Sequence, residues 1–206
     1  MSKPITLIPI TDSPKKTESP SGKIKEINTT VAEFLIEQAE KVECKLYGIV
    51  DSARNDEVFR YLVTGDVIYK SLFENTMDVQ SFGVSGFLVE CKKESPLFQW
   101  MTTEAWGDSF SIFFTSKSSY DELFSHFQKF NRVFLEGDDV VLFRYYDPRV
   151  LRTYLPTCNK EEIEIFFGAV RNFFAESEEP EVINVFKQDK AANEDFLFVS
   201  SYKLTV

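Results

Sequence analysis

Apolar positions change their period several times along the chain, and each change predicts an element. From Ile24 they recur at helical spacing. Ile24, Ile27, Val31, Phe34, Leu35 and Val42 share one face, with Lys25, Glu26, Glu33, Glu37 and Glu40 opposite. An amphipathic helix is expected over residues 23–44. Lys45–Val50 is a short apolar run of strand length. Asp51–Asn55 reads as a turn, with Ser52 or Asn55 free to cap a helix whose inner side is Val58, Phe59 and Leu62. Gly65 suits the end of that helix. Val67–Phe73 and Gly86–Cys91 read as two further strands.

Ser95-Pro96 is a helix start, with Ser as cap and Pro in the first turn. Leu97, Trp100 and Met101 form its apolar side, and Gly107 ends it. Phe110–Thr115 is a strand. Ser118 and Ser119 precede acidic residues by three positions, so either can form a capping box before the stripe Tyr120, Leu123, Phe124, Phe127 and Phe130. Val133–Leu135 and Val140–Tyr145 read as strands joined by the acidic turn 136–139. Asp147-Pro148 repeats the cap-plus-proline device ahead of Val150, Leu151, Tyr154 and Leu155. Asn159 caps the next helix, with Ile163, Phe166 and Phe167 inward. Residues 168–174 fit a helix end or a strand. Glu176–Glu181 reads as a solvated acidic loop, and Val182–Phe186 and Phe196–Tyr202 as a closing hairpin within a C-terminal extension, 177–206.

Residues 1–22 differ from all this. Three prolines, several Ser and Thr and mixed charges between Thr11 and Gly22 leave nothing to bury, so a disordered tail is expected. The alternation of strands and helices in the middle, with strands again at the end, predicts an α/β or α+β domain. Its mixed β-sheet is flanked by helices, as one body or as two lobes.

Composition sharpens the picture. The 21 phenylalanines mean that aromatic packing dominates the core and that few of the apolar residues carry a polar handle. Lys+Arg is 23 against Asp+Glu 33, a net charge of −10. Such a chain is repelled by phosphate backbones and anionic membranes, so neither nucleic acid nor membrane is an expected partner. No stretch approaches the length of a membrane span, and the broken apolar N-terminus is not a signal peptide. Cys44, Cys91 and Cys158 are odd in number and widely spaced. That is no disulfide framework or zinc motif and fits a reducing cytoplasm. Cys44 and Cys91 read as core thiols.

Catalytic patterns are scarce. His126 is the one histidine, and it lies off the apolar stripe of its helix. There is no Gly-x-Ser-x-Gly elbow, and Gly83-Val-Ser-Gly86 is too short for a phosphate loop and has no Lys. No catalytic set, metal site or cofactor is expected. Asp51 stands directly after a strand, where α/β sites often form, and stays open as a candidate carboxylate with an Arg clamp. Arg144, Arg149 and Arg152 surround Asp147, with Tyr145 and Tyr146 between. An internal Arg–Asp brace and a binding surface both fit them, since Arg and Tyr are frequent at interface hot spots. Trp100 and Trp106 carry the same two readings.

Several segments together resemble a known family. Leu46-Tyr-Gly-Ile-Val-Asp-Ser-Ala53, Ser95-Pro-Leu-Phe-Gln-Trp100, Glu104-Ala-Trp-Gly107, Ile112-Phe-Phe-Thr-Ser116, Leu142-Phe-Arg-Tyr-Tyr-Asp-Pro-Arg-Val-Leu151 and Phe166-Phe-Gly-Ala-Val170 occur in that order. The order and spacing resemble the domain-of-unknown-function family of type VI secretion effector chaperones, over residues 45–176. The resemblance implies a non-enzymatic cytoplasmic adaptor of a Gram-negative bacterium. Such an adaptor binds one effector, of lipase, nuclease or pore-forming class, and helps deliver it to the VgrG spike. It carries over no catalytic residues. Candidate contact residues are Asp51, Arg54, Trp106, Arg144, Tyr146, Asp147 and Arg149. Two other functions fit the residues. One is a small acidic enzyme using Asp51 and arginines. The other is an immunity protein whose negative surface meets a basic toxin site.

Overall fold

A computed structural model of the chain describes residues 24–54, 57–65, 67–73, 86–134, 140–188 and 196–205. The tail expected at 1–22 and the acidic turn at 136–139 lie outside these residues.

Thr30 starts the first helix. Its hydroxyl accepts from the Glu33 N–H, and the Glu33 carboxylate accepts from the Thr30 N–H, at 3.2 and 3.1 Å. This capping box opens α1, Val31–Lys41. The helix expected from residue 23 is therefore corrected: Lys25–Asn28 is a strand, β1. Its apolar spacing also suits a helix, but a parallel partner at the far end of the chain captures it. Next come β2 (Lys45–Asp51), α2 (Glu57–Thr64), β3 (Tyr69–Ser71), β4 (Gly86–Glu90), α3 (Pro96–Thr102), β5 (Ser111–Ser116) and α4 (Tyr120–Phe127). The chain continues with β6 (Arg132–Phe134), β7 (Val140–Leu142), α5 (Pro148–Tyr154), α6 (Lys160–Phe167), β8 (Val170–Glu176), β9 (Val182–Gln188) and β10 (Leu197–Thr205). Ser95, Ser119, Asp147 and Asn159 cap α3, α4, α5 and α6 through their side-chain oxygens.

Eight strands form one sheet in the order β1-β10-β9-β8-β5-β2-β4-β3. Its pairings are antiparallel except that of β1 with β10, so the sheet is mixed. The last two strands are not an appendage, because they sit inside the sheet between β8 and β1. β6 and β7 make a separate two-stranded ribbon, shorter than the expected hairpin. Tyr145 and Tyr146 leave it and turn into the core.

Alternation along the strands builds two cores, one on each face of the sheet. Tyr47, Ile49, Ile112, Phe114 and Phe173 point to one face, where Leu123, Phe127, Leu151, Ile163 and Phe166 from α4, α5 and α6 cover them. Leu46, Val50, Phe113 and Phe174 point to the other, covered by Phe34, Leu35, Val58, Leu62, Phe98 and Met101 from α1, α2 and α3. The fold is thus an α/β domain of three layers. The rings pack mainly edge to face or tilted, as in Phe98–Phe113 at 6.0 Å and 89° and Phe166–Phe173 at 5.3 Å and 37°. Cys91 is half-buried and packs against the second core, Cys44 is half-buried just past the end of α1, and Cys158 is buried. Cys158 lies between α5 and α6, where the thiol donates to the Tyr154 carbonyl at 3.4 Å.

Candidate functional site

The seven candidate residues gather at one end of the sheet, where β2 and β8 finish and β5 begins. β2 carries Asp51 to this corner, where its N–H donates to the Phe110 carbonyl at 2.8 Å and the side chain is fully buried. One carboxylate oxygen accepts from the Ala53 N–H at 3.0 Å, the ordinary turn-forming bond of an Asp after a strand. The other pairs with the Arg144 guanidinium.

Arg144 belongs to the segment between the β6–β7 ribbon and α5. Burial works against its charge, but the bond and charge of Asp51 outweigh burial and hold its pKa above the ordinary value. Tyr146, two residues on, is buried with its ring against Gly86. A Cβ on that glycine would come within 2.9 Å of the ring. Burial pushes the Tyr146 hydroxyl pKa up, so it stays a neutral phenol.

Asp147 is buried and does double duty. It caps α5 by accepting from the Arg149 N–H at 2.9 Å, and it takes two further bonds from the same residue, Nε at 3.0 Å and Nη2 at 2.6 Å. Burial alone would raise its pKa. The Arg149 side-chain bonds, backbone bond and charge outweigh burial and hold the carboxyl below its usual value. Arg54 is exposed, its guanidinium 5.8 Å from the centre of the Phe110 ring. Trp106 is half-buried: Nε1 donates to the Pro180 carbonyl at 2.6 Å, and its ring lies 6.3 Å from that of Phe113.

Glu176 completes the corner, and there the solvated-loop reading is corrected. It is the last residue of β8, 3% exposed, and accepts from the Gly107 N–H at 2.7 Å, the Ser109 N–H at 2.6 Å and the Ser109 hydroxyl at 2.9 Å. It thereby holds a turn in which Gly107 (φ +100°) and Ser109 (φ +59°) are both left-handed. Its own carbonyl accepts from Arg152 at 2.6 Å. The available signal was the strand periodicity of Phe173-Phe174-Ala175, which runs on into this glutamate.

Chemically, three buried carboxylates are spent on internal donors. Asp51, Tyr146 and Asp147 support the corner from inside. Arg54, Arg144, Arg149 and half-buried Trp106 keep solvent exposure at this corner. Such groups can pair with carboxylates and carbonyls of another chain and stack on its side chains. Among the described residues, no group of three His, Cys, Asp or Glu is placed to hold a metal ion. No helix there is long and apolar enough to cross a membrane.

The sequence model of the family described as "Domain of unknown function (DUF4123)" matches residues 46–164, more than half of the chain. No curated protein and no solved structure matches it. The matched span runs from β2 into α6 and contains every candidate residue of the corner, so the chain belongs to the DUF4123 family.

Proposed function

We propose that the protein is a non-enzymatic adaptor that holds a type VI secretion effector in the cytoplasm and helps bring it to the VgrG spike. The Asp51–Arg149 corner is its docking face. The observation that carries this reading is the fate of the carboxylates. Asp51 is 0% exposed and already bonded to Arg144 and the Ala53 N–H, and Asp147 is bonded to Arg149. An acid, base or nucleophile has to reach a substrate, and these side chains face inward. Arg144 and Arg149 keep 40% and 54% of their side chains exposed, as contact groups must. Membership of the DUF4123 family, with the resemblance of the Phe143–Arg149 segment to effector chaperones, supports the identity of the partner.

The test is co-expression of the tagged protein with the effector encoded beside it, with and without the spike protein. A stable complex is expected without added nucleotide or metal, together with a higher soluble yield of the effector. If the effector is equally soluble alone and neither protein is retained, the reading is wrong. Loss of the effector's toxicity in the complex would point to an immunity role instead.

A further inference from the structure

A second site is built at the opposite end of the sheet. β2 starts beside Cys44 and ends at Asp51, so its seven residues put roughly 20 Å between this end and the arginine corner. Here a cleft of about 560 Å³ opens between the end of α1, the start of β2, the end of β5 and the start of β8. Its lining includes Lys41, Glu43, Cys44, Lys117 and Arg171. Three cations against one carboxylate is a local inversion in a chain of net charge −10. Each cation comes from a different element, so the inversion is a product of the fold and not of a basic run in sequence. Lys41 and Lys117 make only exposed ion pairs, with Glu37 at 2.9 Å and Glu43 at 3.5 Å, and such pairs exchange readily with another carboxylate. Among the described residues Arg171 has no ion-pair partner within 4.0 Å.

We propose that this cleft binds carboxylate side chains of an acidic segment of a partner protein. The cleft is open to solvent, and its cations are long, separately mounted side chains able to meet several carboxylates of a segment laid across it. A compact phosphate is usually held instead by backbone N–H groups at a helix N-terminus or glycine-rich loop. The proposal rests on the reading that the protein works by contact with other proteins. It gives such an adaptor a second, chemically different face.

Cys44 is a built-in reporter, since its half-buried thiol lies in the cleft and senses the charges of Lys117 and Arg171. The full chain is treated with iodoacetamide, and alkylation of Cys44 is followed by mass mapping with Cys91 as internal comparator. The probe is a blocked hexapeptide of alternating Asp and Glu, with a Ser/Gly hexapeptide and inorganic phosphate as controls. The acidic peptide is expected to slow Cys44 alkylation at least about threefold, and the controls are not. By calorimetry, Lys117→Glu with Arg171→Glu should weaken peptide binding roughly tenfold or more, the summed loss of two ion pairs replaced by repulsion. Lys117→Arg should bind as the native chain does. Unchanged Cys44 alkylation, equal protection by phosphate, or binding indifferent to the charge reversals would each overturn the proposal. The alkylation arm uses the native chain, so it stands even if a variant folds poorly. It also uses no effector, so its failure is separable from failure of effector capture.

Discussion

Arg144 closes over Asp51, joining the end of β2 to a segment 93 residues later in the chain. The carboxylate is 0% exposed and the guanidinium side chain 40% exposed. The pair therefore has one foot in the core and one in water. Coulomb attraction is strong for such a pair because the Asp51 end is dry, and the water-facing end of Arg144 avoids part of the desolvation cost.

Arg144→Ala leaves Asp51 buried with, among the described residues, only the Ala53 N–H. A loss of about 1–3 kcal/mol is expected, below the cost of breaking a fully buried pair because water can reach the vacated space. Urea denaturation measures it. Arg54→Ala, which breaks no ion pair among the described residues, should shift the midpoint little. Equal midpoints for Arg144→Ala and the native chain would remove the brace.

His126 should set the stability slope just below neutral pH. Burial favours its neutral ring and holds its pKa below the ordinary value, against the opposing effect of the hydrogen bond with the Phe166 carbonyl at 2.9 Å. The unfolded chain protonates near pH 6.5, and the folded chain only at lower pH. The stability is full above about 6.5 and falls as pH drops from there through the folded value. As the one histidine in the chain, it can be checked cleanly. His126→Gln should flatten the fall in stability as pH drops below about 6.5.

Asp147 titrates in a lower window. Its folded pKa lies below the ordinary carboxyl value, so its contribution is present above about pH 3.9 and is lost as pH falls through the folded value. Asp147→Asn keeps a side chain able to cap α5 but removes the charge facing Arg149. Urea midpoints should fall less steeply for this variant than for the native chain as pH drops below about 3.9.

Gly168 ends α6 with φ +52°, and a Cβ there would lie 2.6 Å from the His126 ring. Gly168→Ala therefore meets both backbone strain and a ring that is itself packed against Phe127 and Phe130, each at 5.1 Å. A loss of about 1–3 kcal/mol is expected. Adding His126→Ala should recover the steric part and leave the backbone part, which a double-mutant cycle on thermal melts would separate.

Local signals were legible in the sequence, and long-range ones were not. Ser95, Ser119, Asp147 and Asn159 announce helix starts because a cap bonds to residues two or three positions away. Thr30 carries the same signal with Glu33. The apolar spacing from Ile24 through Val31 runs across it, and only pairing with β10 shows that Lys25–Asn28 is a strand. Asp51, Arg144 and Asp147 stand out as candidates, but which arginine takes which carboxylate depends on how the chain returns. Glu176 hid in an acidic run because its three donors come from Gly107 and Ser109, 67–69 residues earlier.

The most direct test of a protein that acts by holding another is sedimentation of the chain co-expressed with its neighbouring effector, native and with Arg54→Glu and Arg149→Glu together. A single co-migrating complex is expected for the native pair. The doubly reversed chain should sediment alone while still melting cooperatively, with a midpoint lowered by loss of the Arg149–Asp147 pair. Independent migration of the native pair would contradict the adaptor role, as would turnover of a small substrate that disappears with Asp51→Asn.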